Sequence, residues 1–213
     1  MNYSVLLQEM LSATLVTLEI FFLTAVLALP LGMIVCMGRM SKFKVISVPI
    51  RFYLLIVRGT PLMLQLFFIF FGLKPIFHIQ LQRFPAAIIA FVVNYAAYFA
   101  EIFRGGMESI PVGQYEAAKV LGFTKKQTFF KIVLPQVVKR IMPPMGNEFI
   151  TLVKDTSLAH VISVVELMKI TKDFANSATN FIPFIIAAVI YLILNAVVSK
   201  CFGTVEKKLS YYR

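Results

Sequence analysis

Residues 11–37 constrain this chain more than any other stretch, because they are apolar almost throughout, with Glu19 the one charged residue among them. At about 1.5 Å of rise per residue, a helix of that length exceeds the roughly 30 Å hydrocarbon core of a bilayer and spans it with tilt. Stretches 46–71, 84–103, 136–162 and 181–203 repeat the pattern, which predicts an all-α membrane protein of about five transmembrane helices in one domain. Composition agrees: 15% of residues are charged, against roughly a quarter in soluble domains, and mean hydropathy is +0.83. No internal repeat or low-complexity linker divides the chain.

A formal charge of +11 would suit a nucleic-acid binder, but the cations lie between the apolar runs, where they read as loops beside anionic lipid. No nucleic-acid partner is expected. Placing the N-terminus outside puts Arg39, Lys42, Lys44 and Arg51 inside, with Arg104, Lys119, Lys125, Lys126, Lys131, Lys139 and Arg140, and then Lys200, Lys207, Lys208 and Arg213. Only Lys74, Arg83, Lys169 and Lys172 fall outside, so the positive-inside rule favours N-out and C-in. The first cation, Arg39, follows the first run, which argues against a cleaved leader. Residues 72–83 and 166–180 are expected as short outer connections, the latter with a helical turn. Cys36 and Cys201 match no metal spacing.

The loop between spans three and four, residues 113–135, is polar and basic in an otherwise apolar chain. Gly122 predicts the end of one short helix, since glycine accepts the left-handed conformation there. Thr124 and Gln127 have capping-box spacing for a second helix, and Pro135 predicts a bend or restart. Ala117, Ala118 and Leu121 are placed on one face of the first helix, the two alanines small enough for a partner to approach closely, and Glu116 stands at its start.

The order Glu116, Ala117, Ala118, then Gly122, Ile132, Leu134 and Pro135 resembles the coupling loop of the permease subunits of bacterial ABC importers. Three further stretches extend the likeness to the polar amino acid branch, the histidine, glutamine, arginine and cystine type: Arg58-Gly59-Thr60-Pro61, the run from Ala100 to Gly106, and Gly146-Asn147-Glu148-Phe149 before Lys154-Asp155-Thr156-Ser157-Leu158. The resemblance implies residence in a bacterial cytoplasmic membrane and a separate ATPase subunit docked on this loop. It also implies a second permease chain, identical or paired, an extracytoplasmic solute-binding protein and an amino acid cargo. ATP would be used by the partner: the chain has no G-x-x-x-x-G-K-[ST] loop, and no catalytic residue, cofactor or metal site is expected.

Glu19, Arg58, Glu101, Glu148, Lys154 and Asp155 are ionisable groups at or near membrane depth, where such residues face a bundle interior or an aqueous path. Glu101 and Arg104 are spaced for a pair on one helix. Glu148 and Lys154 are not, so each is expected to find a partner elsewhere. Pro143, Pro144 and the polar cluster after them predict a discontinuous fourth span. Asp155 is the candidate acceptor for a substrate ammonium; Thr156, Ser157, Asn94 and Tyr98 are pathway candidates, with polar contacts between helices the alternative for Asn94 and Tyr98. Two other functions fit a helical membrane protein, an ion-driven secondary transporter and a non-transporting scaffold. The first lacks the duplicated halves usual in that class.

Overall fold

The computed structural model describes residues 3–209; Arg213, placed above among the inner cations, lies outside them. All regular structure among the described residues is helical: α1 (Tyr3–Arg39), α2 (Lys44–Gly59), α3 (Leu62–Phe67), α4 (Leu73–Phe77), α5 (Arg83–Glu108), α6 (Val112–Val120), α7 (Lys125–Gln127), α8 (Leu134–Asp155), α9 (Leu167–Ala178) and α10 (Ile182–Leu209). Wide π turns at Phe68–Gly72 and Thr128–Val133 join α3 to α4 and α7 to α8, and a 3₁₀ segment, Thr156–Ile162, extends α8.

α5 is the centre of the bundle. Ala86, Ala87, Ala90, Ala96, Ala97 and Ala100 are all buried, so neighbouring backbones come close. α1 packs along this helix, and a Cβ on Gly32 would stand 2.9 Å from Cβ of Phe99 and 3.1 Å from the Ala96 carbonyl. Phe149 of α8 joins the helices around it, stacking on Phe99 (5.5 Å) and meeting Phe21 of α1 (5.9 Å) and Phe202 of α10 (5.0 Å).

By length and composition α1, α5 and α10 qualify as membrane-crossing helices, and α2 with residues 62–77 makes a fourth if that bent pair is one span. α8 has 22 residues but carries Lys139, Arg140, Glu148, Lys154 and Asp155, and so does not qualify on apolar composition. The sharp break falls in the second apolar stretch, not the fourth. α2 and the following helix meet at 109° across Thr60 and Pro61. Proline pushes the residue before it out of the helical region, and Thr60 is extended at φ −122°, ψ 146°. Pro143 and Pro144, by contrast, lie within an unbroken α8, which tightens to 3₁₀ only after Asp155.

Two connections are more structured than expected. Gly72 lies inside a π turn and helix continues to Phe77, leaving residues 78–82 as the loop. Residues 167–178 form a 12-residue helix rather than one turn.

Candidate functional site

The loop between α5 and α8 takes its shape from local caps. Gly122, at φ +77°, ends α6: its N–H donates to the Lys119 carbonyl (3.1 Å), and that of Phe123 to the Ala118 carbonyl (3.0 Å). Thr124 N–H donates to Gln127 Oε1 (2.9 Å) while Gln127 N–H donates to Thr124 Oγ1 (3.3 Å), completing the capping box. Pro135 stands in the first turn of α8, where the expected restart falls, since the α-helix begins at Leu134 as the π turn ends. The π turn before it widens the winding, so the proline ring is accommodated as α8 begins.

The motif residues divide between two tasks. Ala118 is the one buried residue of α6, which packs on the π turn, whereas Ala117 and Leu121, on the same side by helical spacing, stay exposed; a side chain larger than alanine at 118 would lift the helix off its own loop. Ile132, Leu134 and Pro135 are half-buried and hold the loop to the bundle, helped by Gln136 Nε2 donating to Gln114 Oε1 (3.3 Å) and Arg140 donating to the Ser109 carbonyl. Glu116 and Ala117 point outward. Around Glu116, helical spacing groups Val112, Tyr115 and Val120, respectively 69%, 42% and 87% exposed. This is an uncovered apolar face among loop lysines.

A second uncovered face runs along α8. Asn147 and Lys154 are exposed, and Glu148, Thr151, Asp155 and Ser157 are half-buried. Positions 147, 151 and 154 fall on one side of the helix. The expected partners for Glu148 and Lys154 are missing: neither makes an ion pair or hydrogen bond with another described residue. Such a face belongs against water or protein, not lipid tails.

The five pathway candidates do not converge. Asp155 Oδ2 accepts a hydrogen bond from the Tyr95 hydroxyl (2.8 Å), a buried α5 residue that sequence reasoning missed because nothing local marks it. Thr156 is fully buried, its hydroxyl donating to the Val153 carbonyl (2.7 Å). Asn94 is also buried and donates to Gln65 Oε1 (3.0 Å). Tyr98 and Ser157 keep exposed surface, but the Tyr98 ring lies under Arg58, 5.5 Å from its guanidinium carbon, on a cavity that also takes Arg39 and Glu101.

Gln65 is the second missed residue, and here a signal existed. In a regular helix the Val57 carbonyl would bond the N–H of residue 61, which is proline. Gln65 Nε2 supplies the donor instead, at 2.8 Å from Val57 O and 3.1 Å from Thr60 O. Since its Oε1 holds Asn94, one amide closes the break and fastens it to α5. A glutamine four residues after a proline that interrupts an apolar stretch is the signal.

Glu166 is the third. Its carboxylate caps α9, accepting from Met168 N–H (2.8 Å) and Lys169 N–H (2.9 Å), with the Tyr191 hydroxyl at 3.3 Å, while Leu167 N–H donates to Thr17 Oγ1 (3.2 Å). This knot ties α1, α9 and α10 together. Burial pushes the carboxyl up to about 7, against the opposing pull of those donors.

At the other end of the bundle the expected Glu101–Arg104 pair is present, with Nη2 2.7 Å from Oε2. It is enlarged by Arg58 of α2 (3.4 Å) and Arg39 of α1 (3.8 Å), which converge on the same carboxylate.

Comparison with known proteins gives a consistent result. Residues 28–211 match the family described as binding-protein-dependent transport system inner membrane component. The L-cystine transport system permease protein TcyB of Bacillus subtilis (strain 168) is 38% identical, covering 92% of this chain and 84% of that protein. The arginine transport system permease protein ArtQ of the same organism is 36% identical, covering 91% and 89%. A crystal structure of an amino acid ABC transporter with histidines superposes with a TM-score of 0.88 at 32% identity, over 97% of this chain and 95% of that one. The MetNI methionine ABC transporter, in an inward-facing conformation, shares the fold at a TM-score of 0.73 and 19% identity over 96% and 95%. This chain belongs to the binding-protein-dependent transport system inner membrane component family.

Proposed function

We propose that the chain is the permease subunit of an ATP-driven amino acid importer in a bacterial cytoplasmic membrane, five spans with the N-terminus outside and the α5–α8 loop inside. The observation that carries this reading is the α6 face, Val112, Tyr115 and Val120 around Glu116, held outward by the Gly122 corner. It has the apolar character of a docking surface for a separate ATPase. Coverage of α8 is the second requirement: its polar face needs a second permease chain about a two-fold axis, with the substrate path between the two. Closure of two ATPases on ATP would then rock two permeases between inward- and outward-facing states. A solute-binding protein would deliver the amino acid from outside, and Asp155, at the rim of the α8 face, is the acceptor proposed for its ammonium.

The test is to express the chain with an ATPase encoded beside it and purify the particle in mild detergent. Two copies of each subunit, and amino acid uptake in vesicles that needs ATP on the loop side, are the expected results. Uptake by the chain alone, driven by an ion gradient, would overturn the assignment.

A further inference from the structure

We infer that the cavity between α2 and the inner half of α5 is a binding site for a phosphate oxyanion, carried in the membrane by an anionic phospholipid headgroup. Its volume is about 520 Å³, and its polar lining comprises Arg39, Arg51, Arg58, Tyr98 and Glu101. The charges do not balance. Glu101 is shared by Arg39, Arg58 and Arg104, and Glu108 takes the other side of Arg104, while Arg51 makes no ion pair among the described residues. Four guanidinium groups thus surround two carboxylates. A guanidinium fork matches two oxygens of a phosphate, so Arg51 and the exposed edge of Arg58 are suited to such an anion.

The helix that presents them has the form of an interfacial helix. Lys44, Arg51 and Arg58 recur every seventh residue on α2, forming a cationic stripe, and Val45, Val48, Phe52 and Leu55 are exposed beside it. The 109° bend after Gly59 sets α2 off from the membrane-crossing part of its span. Leu54 and Leu55 line the same cavity, giving an apolar wall where acyl chains leave a headgroup. Basic pockets between helices near the membrane surface favour anionic over zwitterionic headgroups by charge alone. The inference rests on this pocket and not on the chain's transport role.

Two arms separate the possible sources of the phosphate. In the first, the complete transporter is purified from a membrane containing phosphatidylglycerol and phosphatidylethanolamine, and retained lipid is counted by native mass spectrometry. Retained phosphatidylglycerol is expected, with about tenfold lower occupancy in Arg51→Gln, the size of losing a charge-assisted contact. Arg51→Lys should give partial recovery, and Lys42→Gln, an exposed cation outside the pocket, no change. In the second, delipidated transporter is heated in inorganic phosphate or in chloride at equal ionic strength; protection by phosphate that Arg51→Gln removes, without lipid retention, would support the site with a soluble anion as its source. Arg51 has no ionic partner to lose, so folding survives the substitution. Equal lipid retention and equal phosphate response in wild type and Arg51→Gln would overturn the inference.

Discussion

Gly122 offers the sharpest test of the loop, because at this residue backbone conformation can be separated from side-chain bulk. Its φ is +77°, and a Cβ built on it meets no atom within 4 Å. Substitutions therefore enter open space, and only the backbone resists them. Holding an ordinary residue in the left-handed region costs about 1–2 kcal/mol, at the upper end for a β-branched side chain and less for asparagine. Relaxing φ instead gives up the Gly122–Lys119 and Phe123–Ala118 bonds, at about 1 kcal/mol each. Either route costs valine about 2 kcal/mol, and 1.4 kcal/mol is a factor of ten in a conformational equilibrium. Gly122→Val is thus expected to lower the population of the docking geometry more than tenfold, and Gly122→Asn only a few-fold. The spans do not depend on this corner, so membrane expression and helix content should stay near wild type in both. The assay is amino acid uptake and substrate-stimulated ATP hydrolysis in reconstituted vesicles. Uptake at the wild-type rate by Gly122→Val, with the ATPase bound as before, would refute the docking role; equal loss in valine and asparagine variants would refute the φ argument.

Gln65→Leu leaves the Val57 and Thr60 carbonyls and the Asn94 amide without their donor or acceptor, and should lower stability in detergent by about 1–3 kcal/mol and slow transport. Asn94→Ala should act in the same direction, and the double variant should cost less than the sum, measured by a thermal-melt mutant cycle. Asp155→Asn is expected to weaken uptake with the ATPase still bound, while Tyr95→Phe shifts the same kinetics less; unchanged apparent affinity and rate in Asp155→Asn would remove it from the path. For Glu166 the folded carboxyl is raised from 4.5 to about 7, so the folded state holds the proton more tightly than the undocked one. Docking of α9 should therefore be fully stabilised below about pH 4.5 and weaken as pH rises through about 7; hydrogen exchange of α9 amides, corrected for intrinsic rate, checks this, and Glu166→Gln should abolish the dependence.

Much of this protein is determined by the sequence alone, and the determined part is local. Stretches such as 11–37 and 181–203 have to be helical in lipid, since no water is present to satisfy the backbone. The loop corner follows from Gly122 and the Thr124–Gln127 box, whose partners lie within five residues of one another. The Glu101–Arg104 pair is one helical turn. Tertiary structure decided everything that depends on which faces meet. Two prolines in α8 left that helix whole, whereas the single Pro61 after an extended Thr60 broke the second apolar stretch, where Gln65 supplies the donor that proline lacks. Asn94 reads equally as a pathway residue or an interhelical contact until α3 puts Gln65 beside it, and Ala118 reads as a contact surface until α6 turns it inward. Tyr95 and Asp155 are 60 residues apart, Thr17 and Leu167 150 apart, and no short-range rule couples positions so distant. The reason is physical: a residue's own spacing fixes its helical face, but burial and hydrogen bonding depend on the helix packed against that face.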